Sequence, residues 1–215
     1  MDCNFSLKHY NETLALAKEK GYTFSRMRDY DRNIDNSKII FLRHDVDIQI
    51  ENALNMAIIE SKLGISSTYF FRIHAQYNLL NLKNYEIIQK ILELGHEIGL
   101  HHELDFAKLV NKDEKNMLRM AKKVIELITE QKVKGLTPHE PSRSSKLIND
   151  DNLKEFDFEY EGYSPKFIKN LKYISDSSCR WREGCMCEFI KKEVPKLYIL
   201  THPVWWFDKS PIQNY

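Results

Sequence analysis

Residues 38–74 read "KIIFLRHDVDIQIENALNMAIIESKLGISSTYFFRIH", and their periodicity changes twice. "KIIFLR" is a short β-branched run, which predicts a strand. "IENALNMAIIESKLG" carries apolar residues at helical spacing and stops at Gly64, and "SSTYFFRI" is a second strand. Strand, helix and strand in that order make a βαβ unit, whose two strands lie parallel. Both strands end in chemically active residues, Asp45 and Asp47 on the first and His74 on the second.

The same alternation extends to both sides. "NETLALAKEKG" predicts a helix closed by Gly21, and "LKNYEIIQKILELG" another ending at Gly95. "HEIGLH" is a short strand, and "KNMLRMAKKVIELITEQ" a long helix. "VKGLTPH", "FDFEYEGYS", "LKYISD" and "KLYILTHP" predict four more strands. Six or seven strands alternating with helices of this length indicate an α/β protein with a largely parallel sheet, either a barrel or a doubly wound sheet.

The 215 residues suit one domain, and 42% apolar with 29% charged residues is an ordinary globular composition. Lys and Arg total 32 against 31 Asp and Glu, so no basic field favours nucleic acid. "AKKVIELITEQKVKG" is then the wet face of a helix. No run approaches the roughly 18 apolar residues of a membrane span. "MDCNFSLKHYNE" has no basic region followed by an apolar run, so no secretory signal is expected and the cytoplasm is the expected location. In that compartment Cys3, Cys179, Cys185 and Cys187 are expected as thiols. "CRWREGCMC" has no CxxC pair and no second cluster to make a zinc knuckle, so incidental thiols are expected there.

The strand ends carry the functional signal. His101, His102 and Glu103 close "EIGLHHE", His139 closes "LTPH", Asp176 closes "YISD" and His202 closes "YILTH". In β/α barrels the active site is built at the C-terminal ends of several strands. Asp45 and Asp47, two apart on a strand, point to one side and repel unless a cation or arginine lies between them. Arg43 is placed to temper that charge, whereas His44 points to the opposite side. Carboxylates with imidazoles suit a divalent metal such as zinc, with a second carboxylate as general base and a histidine as general acid. Those parts describe metal-assisted hydrolysis of an amide or ester.

From Lys38 to Pro203 the chain resembles the polysaccharide deacetylase family, carbohydrate esterase family 4, through "RHDVD", "GISSTYFF", "LGHEIGLHHE" and "ILTHP". "YISDSSCRW" and "HEPSR" resemble a subgroup that carries "HDVD" in place of two adjacent aspartates. The resemblance implies a distorted (β/α)7 barrel at 38–203, preceded by a helical lead-in at 1–37, in a single domain. It implies Asp45 as catalytic base, Asp47 and His101 as metal ligands, zinc as the ion and His202 as general acid. It also implies an arginine that steadies the base, with Arg143 at the matching motif and Arg43 or Arg180 as substitutes. The family's second metal-binding histidine would fall four residues after His101, where this chain has Asp105. Glu103 and His74 are the favoured replacements, with Asp105 the third candidate. His139, Asp176, Arg180 and Trp181 are expected to face the substrate, although Trp181 equally suits a packed core position. The expected activity is removal of an acyl group from a sugar or sugar conjugate, such as an intracellular glycan precursor. Two alternatives use the same residues: a catalytically silent carbohydrate-binding barrel, and a hydrolase of a non-sugar amide.

Overall fold

A computed structural model describes residues 3–142 and 148–209 of the chain. Its strands are β1 (Thr23–Ser25), β2 (Ile39–Val46), β3 (Thr68–Phe71), β4 (Glu97–His102), β5 (Gly135–Pro138), β6 (Tyr160–Glu161), β7 (Lys172–Ser175) and β8 (Lys196–Thr201). The helices are α1 (Leu7–Glu19), α2 (Tyr30–Asn33), α3 (Ile50–Lys62), α4 (Leu82–Glu93), α5 (Leu104–Leu109), α6 (Glu114–Thr129), α7 (Pro165–Ile168) and α8 (Met186–Lys191).

All eight strands join one parallel sheet, in the order β6-β5-β4-β3-β2-β8-β7, with β1 alongside the first half of β2. The sheet curls. In a flat sheet β8 would lie five strand spacings from β6, or roughly 24 Å. The Tyr198 hydroxyl of β8 instead donates to the Gly162 carbonyl just after β6, at 2.8 Å. The expected α/β architecture is therefore present as a curled parallel half-barrel.

The two-residue alternation of each strand divides the molecule. On the outer face Ile40, Leu42, Leu197 and Ile199 pack under α1, α3 and α8. On the inner face Ile39, Phe41, Phe70, Tyr160 and Tyr198, joined by Phe167 of α7, fill the lower lumen with apolar and aromatic side chains. Every residue of β2 is buried, as expected for a strand paired on both edges and covered on both faces. Gly64 and Gly95, which stop α3 and α4, adopt φ of 67° and 90°, a left-handed backbone that ends a helix without a Cβ clash. Gly99 on β4 has a different reason: a Cβ there would lie 2.4 Å from the Phe70 ring.

Three features depart from the expected pattern. The lead-in contributes strand β1 as well as helix. Helices α5 and α8, at six residues each, are too short to show a period. The predicted strand "FDFEYEGYS" shrinks to the two residues of β6, because Leu153–Phe156 form a 3-10 turn and Asp157 turns left-handed at φ 59°. Among the described residues no helix is long and apolar enough to cross a membrane.

Candidate metal and catalytic site

The inner row of β2 continues from Phe41 through Arg43 and Asp45 to Asp47, one residue past the strand. Arg43 is fully buried and donates from Nε to Asp45 Oδ1 at 2.7 Å and from Nη2 to Oδ2 at 2.6 Å. It also donates to the Tyr198 hydroxyl at 3.0 Å and to Thr137 Oγ1, and its guanidinium lies 4.5 Å from the centre of the Tyr163 ring. Burial alone would raise the Asp45 carboxyl. The Arg43 guanidinium, helped by His101, outweighs it and holds the group below the usual carboxylate range. Arg43 is thus a bidentate arginine partner of Asp45. Arg143 lies outside the described residues, and the exposed Arg180 does not line the cleft.

Asp47 faces two imidazoles. Its Oδ1 is 3.3 Å from His101 Nε2 and 3.2 Å from His139 Nδ1, and the two ring nitrogens are 3.4 Å apart. His101 is the penultimate residue of β4, and His139 follows β5. Thr137 pairs with His101 in register, and the His139 amide donates to the His102 carbonyl at 2.9 Å, so the ladder continues one residue beyond β5. Thr137 and His139 are two apart and share the inner face.

A metal ion is implied by the resemblance, and these three donors fit one. Metal bonds of about 2.0–2.1 Å in a tetrahedron separate donors by roughly 3.3–3.4 Å, which matches all three edges. Asp47 Oδ1 is buried and lacks a hydrogen-bond partner among the described residues. His101 Nδ1 lies 3.1 Å from the Thr137 carbonyl, which can only accept, so the neutral ring carries its proton there and turns the Nε2 lone pair toward Asp47.

The residues expected to supply the third ligand lie apart from this triangle. Glu103, at the N-cap position of α5, pairs with Arg72 at 2.5 Å; Arg72 in turn donates to the Asp47 carbonyl at 3.1 Å. Glu103 therefore braces the backbone of Asp47 and does not join its carboxylate. The His74 ring stacks on Phe106 at 4.0 Å and does not line the cleft. Asp105 sits in the first turn of α5, 3.8 Å from Lys108, with its side chain 43% exposed. His139, expected among the substrate contacts, is the residue that joins Asp47 and His101.

His202 follows β8 on the inner side, two residues beyond Leu200. Its Nδ1 donates to Asp176 Oδ1 at 2.6 Å. Burial lowers the imidazole pKa, but the Asp176 carboxylate, supported by Asp45 and Asp47, pushes it up to about 9. Asp176, expected among the substrate contacts, does not line the cleft. It is fully buried behind His202, where it also accepts from the His202 amide at 3.0 Å and from Trp206 Nε1 at 2.8 Å.

These groups open on a cleft of about 880 Å³. Its walls include Tyr163, Tyr173, Trp205 and Arg182, and Trp181 both lines it and faces Phe5 in a near-parallel stack. Of the cleft's aromatic residues, the two tyrosines carried no sequence signal beyond their type. Arg72 was equally silent, because nothing local links it to Asp47. The His44 ring points outward as expected, with Nδ1 2.7 Å from Thr201 Oγ1 and Nε2 3.0 Å from Glu60 Oε1.

The fold is similar to that of a polysaccharide deacetylase from Bacillus cereus, with 14% identity, a TM-score of 0.54, and coverage of 90% of this chain and 56% of that one. It is similar to the chitin deacetylase of the fungal pathogen Colletotrichum lindemuthianum, with 13% identity, a TM-score of 0.52, and coverage of 79% and 75%. It is also similar to a mutant, with restored enzymatic activity, of a CE4 family pseudoenzyme, with 17% identity, a TM-score of 0.51, and coverage of 79% and 57%. The chain spans just over half the length of the first and third of these. No protein-family model matches the chain, and no curated protein matches it in sequence. The likeness is one of fold, to polysaccharide deacetylases at low identity.

Proposed function

We propose that this protein is a metal-dependent hydrolase that removes an acyl group, acetyl foremost, from a sugar or sugar conjugate. The observation that carries the proposal is the donor triangle of Asp47, His101 and His139, set beside an Asp45 that Arg43 clamps and a His202 that Asp176 charges. Asp47, His101 and His139 would hold the ion, with zinc the ion expected for this donor set. A bound divalent cation supplies Lewis acidity toward the scissile carbonyl oxygen.

The chain's own groups divide the proton work. Arg43 occupies one lone pair on each Asp45 oxygen and leaves the others open, so Asp45 can receive the proton of the attacking water. His202, charged through neutral pH, delivers a proton to the departing amine or alkoxide as the carbonyl carbon–heteroatom bond breaks. Trp181, Trp205, Tyr163 and Tyr173 offer flat apolar faces of the kind sugar rings pack against.

The test is acetate release from acetylated aminosugars by the zinc-loaded protein. Asp45→Asn should lower turnover by roughly 10²- to 10⁴-fold, the usual weight of a general base, while zinc content stays the same. Sugar binding without acetate release by the wild-type protein, insensitive to chelators, would replace this proposal with the silent carbohydrate-binding barrel. Release from simple non-sugar amides alone would shift the substrate class and keep the chemistry.

A further inference from the structure

A second group of metal-competent donors lies outside the cleft. Cys3 precedes α1, His9 lies in its first turn, Cys185 is the N-cap of α8, and Cys187 is the second residue of that helix. These four are separated in sequence by up to 184 positions, yet one donor atom from each lies within 4.8 Å of all the others. Cys3 Sγ is 3.2 Å from Cys187 Sγ, and His9 Nε2 is 3.2 Å from Cys185 Sγ. His9, Cys185 and Cys187 are buried, while Cys3 closes the cluster from the exposed side. Cys179, the remaining cysteine of "CRWREGCMC", stands apart from it.

We propose that Cys3, His9, Cys185 and Cys187 form a structural zinc site that clasps α1 to α8. Three thiols and an imidazole are the donor set of Cys3His zinc centres, which are closed and four-coordinate. Zinc–sulfur bonds of about 2.3 Å in a tetrahedron put the sulfurs roughly 3.8 Å apart, a spacing the four side chains can reach by small rotations. A disulfide between Cys3 and Cys187 would use two of the four donors and leave the Cys185–His9 pair without a purpose. The sequence alone argues for incidental thiols, because the knuckle lacks a second cluster beside it. Folding supplies that missing half from the N-terminus, through Cys3 and His9.

The clasp has a consequence for the cleft. The segment carrying Trp181 and Arg182 runs directly into Cys185, and Phe5, two residues after Cys3, stacks on Trp181 at 6.4 Å. Both arms of the clasp therefore hold the same wall.

The test uses the full-length protein and Co²⁺ as the probe, in a His139→Ala background that weakens the cleft site. Cobalt should give intense thiolate-to-metal charge-transfer absorption, which an Asp/His site cannot produce, so failure here is separable from failure of the hydrolase proposal. Zinc should titrate that absorption away. Cys187→Ser should abolish it. Because Cys187 is buried and its loss could disturb folding, Cys3→Ser at the exposed position is the second variant. It should remain folded and bind cobalt at least tenfold more weakly, with weaker charge-transfer absorption. Cobalt affinity and spectrum unchanged in Cys3→Ser would overturn the site. So would the absence of any charge-transfer band, or a purified wild-type protein whose mass shows a Cys3–Cys187 disulfide.

Discussion

Asp176→Asn isolates what charges His202. The imidazole moves from an ordinary 6.5 to about 9 in the folded protein. At about 1.4 kcal/mol per pH unit, that rise is worth roughly 3 kcal/mol of preference for the protonated ring. Burial opposes it, and Asp45 and Asp47 add to the Asp176 effect. With the Asp176 charge gone, burial is the strongest influence left and opposes the two remaining acids, so His202 should titrate well below 9 in metal-free protein. The sign for stability follows from linkage. A pKa raised on folding stabilises fully below 6.5, and that stabilisation is lost as pH climbs through 9. The wild type should therefore lose up to about 3 kcal/mol between pH 6 and pH 10 from this group, and Asp176→Asn should lose far less. The variant's amide oxygen can replace only one carboxylate oxygen, so its NH₂ faces either Trp206 Nε1 or His202 Nδ1, a penalty of up to about 1–3 kcal/mol where that leaves a buried donor unpaired. For that reason the pH dependence of the difference is the informative quantity. NMR titration of the His202 ring, with urea unfolding across that range, measures both. A His202 that still titrates near 9 in the variant would show that Asp45 and Asp47, not Asp176, hold its charge.

His139→Ala should weaken zinc binding at the cleft by more than the roughly 10- to 100-fold that follows loss of an outer hydrogen-bond partner of a ligand. Glu103→Gln and His74→Ala should stay within that range, and calorimetric titration with zinc distinguishes the two classes. Arg43→Met should destabilise by about 3–5 kcal/mol in urea at neutral pH, because it strands the buried Asp45 carboxylate; a loss below about 1 kcal/mol would mean Asp45 has another partner. Gly99→Ala should cost about 1–3 kcal/mol from its collision with Phe70, read as a lower midpoint of thermal unfolding.

Much of the sheet was legible because its signals are local. The β-branched run "KIIFLR", the helical spacing of "IENALNMAIIESKLG" and the stops at Gly64 and Gly95 each lie within one element. The common face of Arg43, Asp45 and Asp47 is equally local, since it follows from a spacing of two. What the sequence did not reveal depends on neighbours in space. His139 joins His101 because β5 lies beside β4 with Thr137 opposite His101. Spacing within "HHELD" pointed to Asp105 and Glu103, but the strand ends at His102 and α5 turns both residues aside. Asp176 closes a strand as expected, yet β7 is an edge strand paired with β8, so its carboxylate backs His202 instead of facing the cleft. Arg72 reaches Asp47 only through the β2–β3 pairing.

The two groups proposed to handle protons owe their opposite states to the same device, a buried side chain of opposite charge. Arg43 keeps Asp45 ionised, and Asp176 keeps His202 protonated, so at neutral pH one cleft presents a base and an acid together. Neither partner lines the cleft: Arg43 is spent on Asp45, Tyr198 and Thr137, and Asp176 on His202 and Trp206. The arrangement also answers the repulsion between Asp45 and Asp47. Arg43 neutralises the first from below, and the imidazoles of His101 and His139 face the second from the side, where a cation would take over that role. Filling the triangle with a cation would cancel the part of the His202 charge that depends on Asp47 and leave the part that depends on Asp176. The acid would then be easier to deprotonate in the loaded protein than in the empty one, which is the direction a proton donor needs.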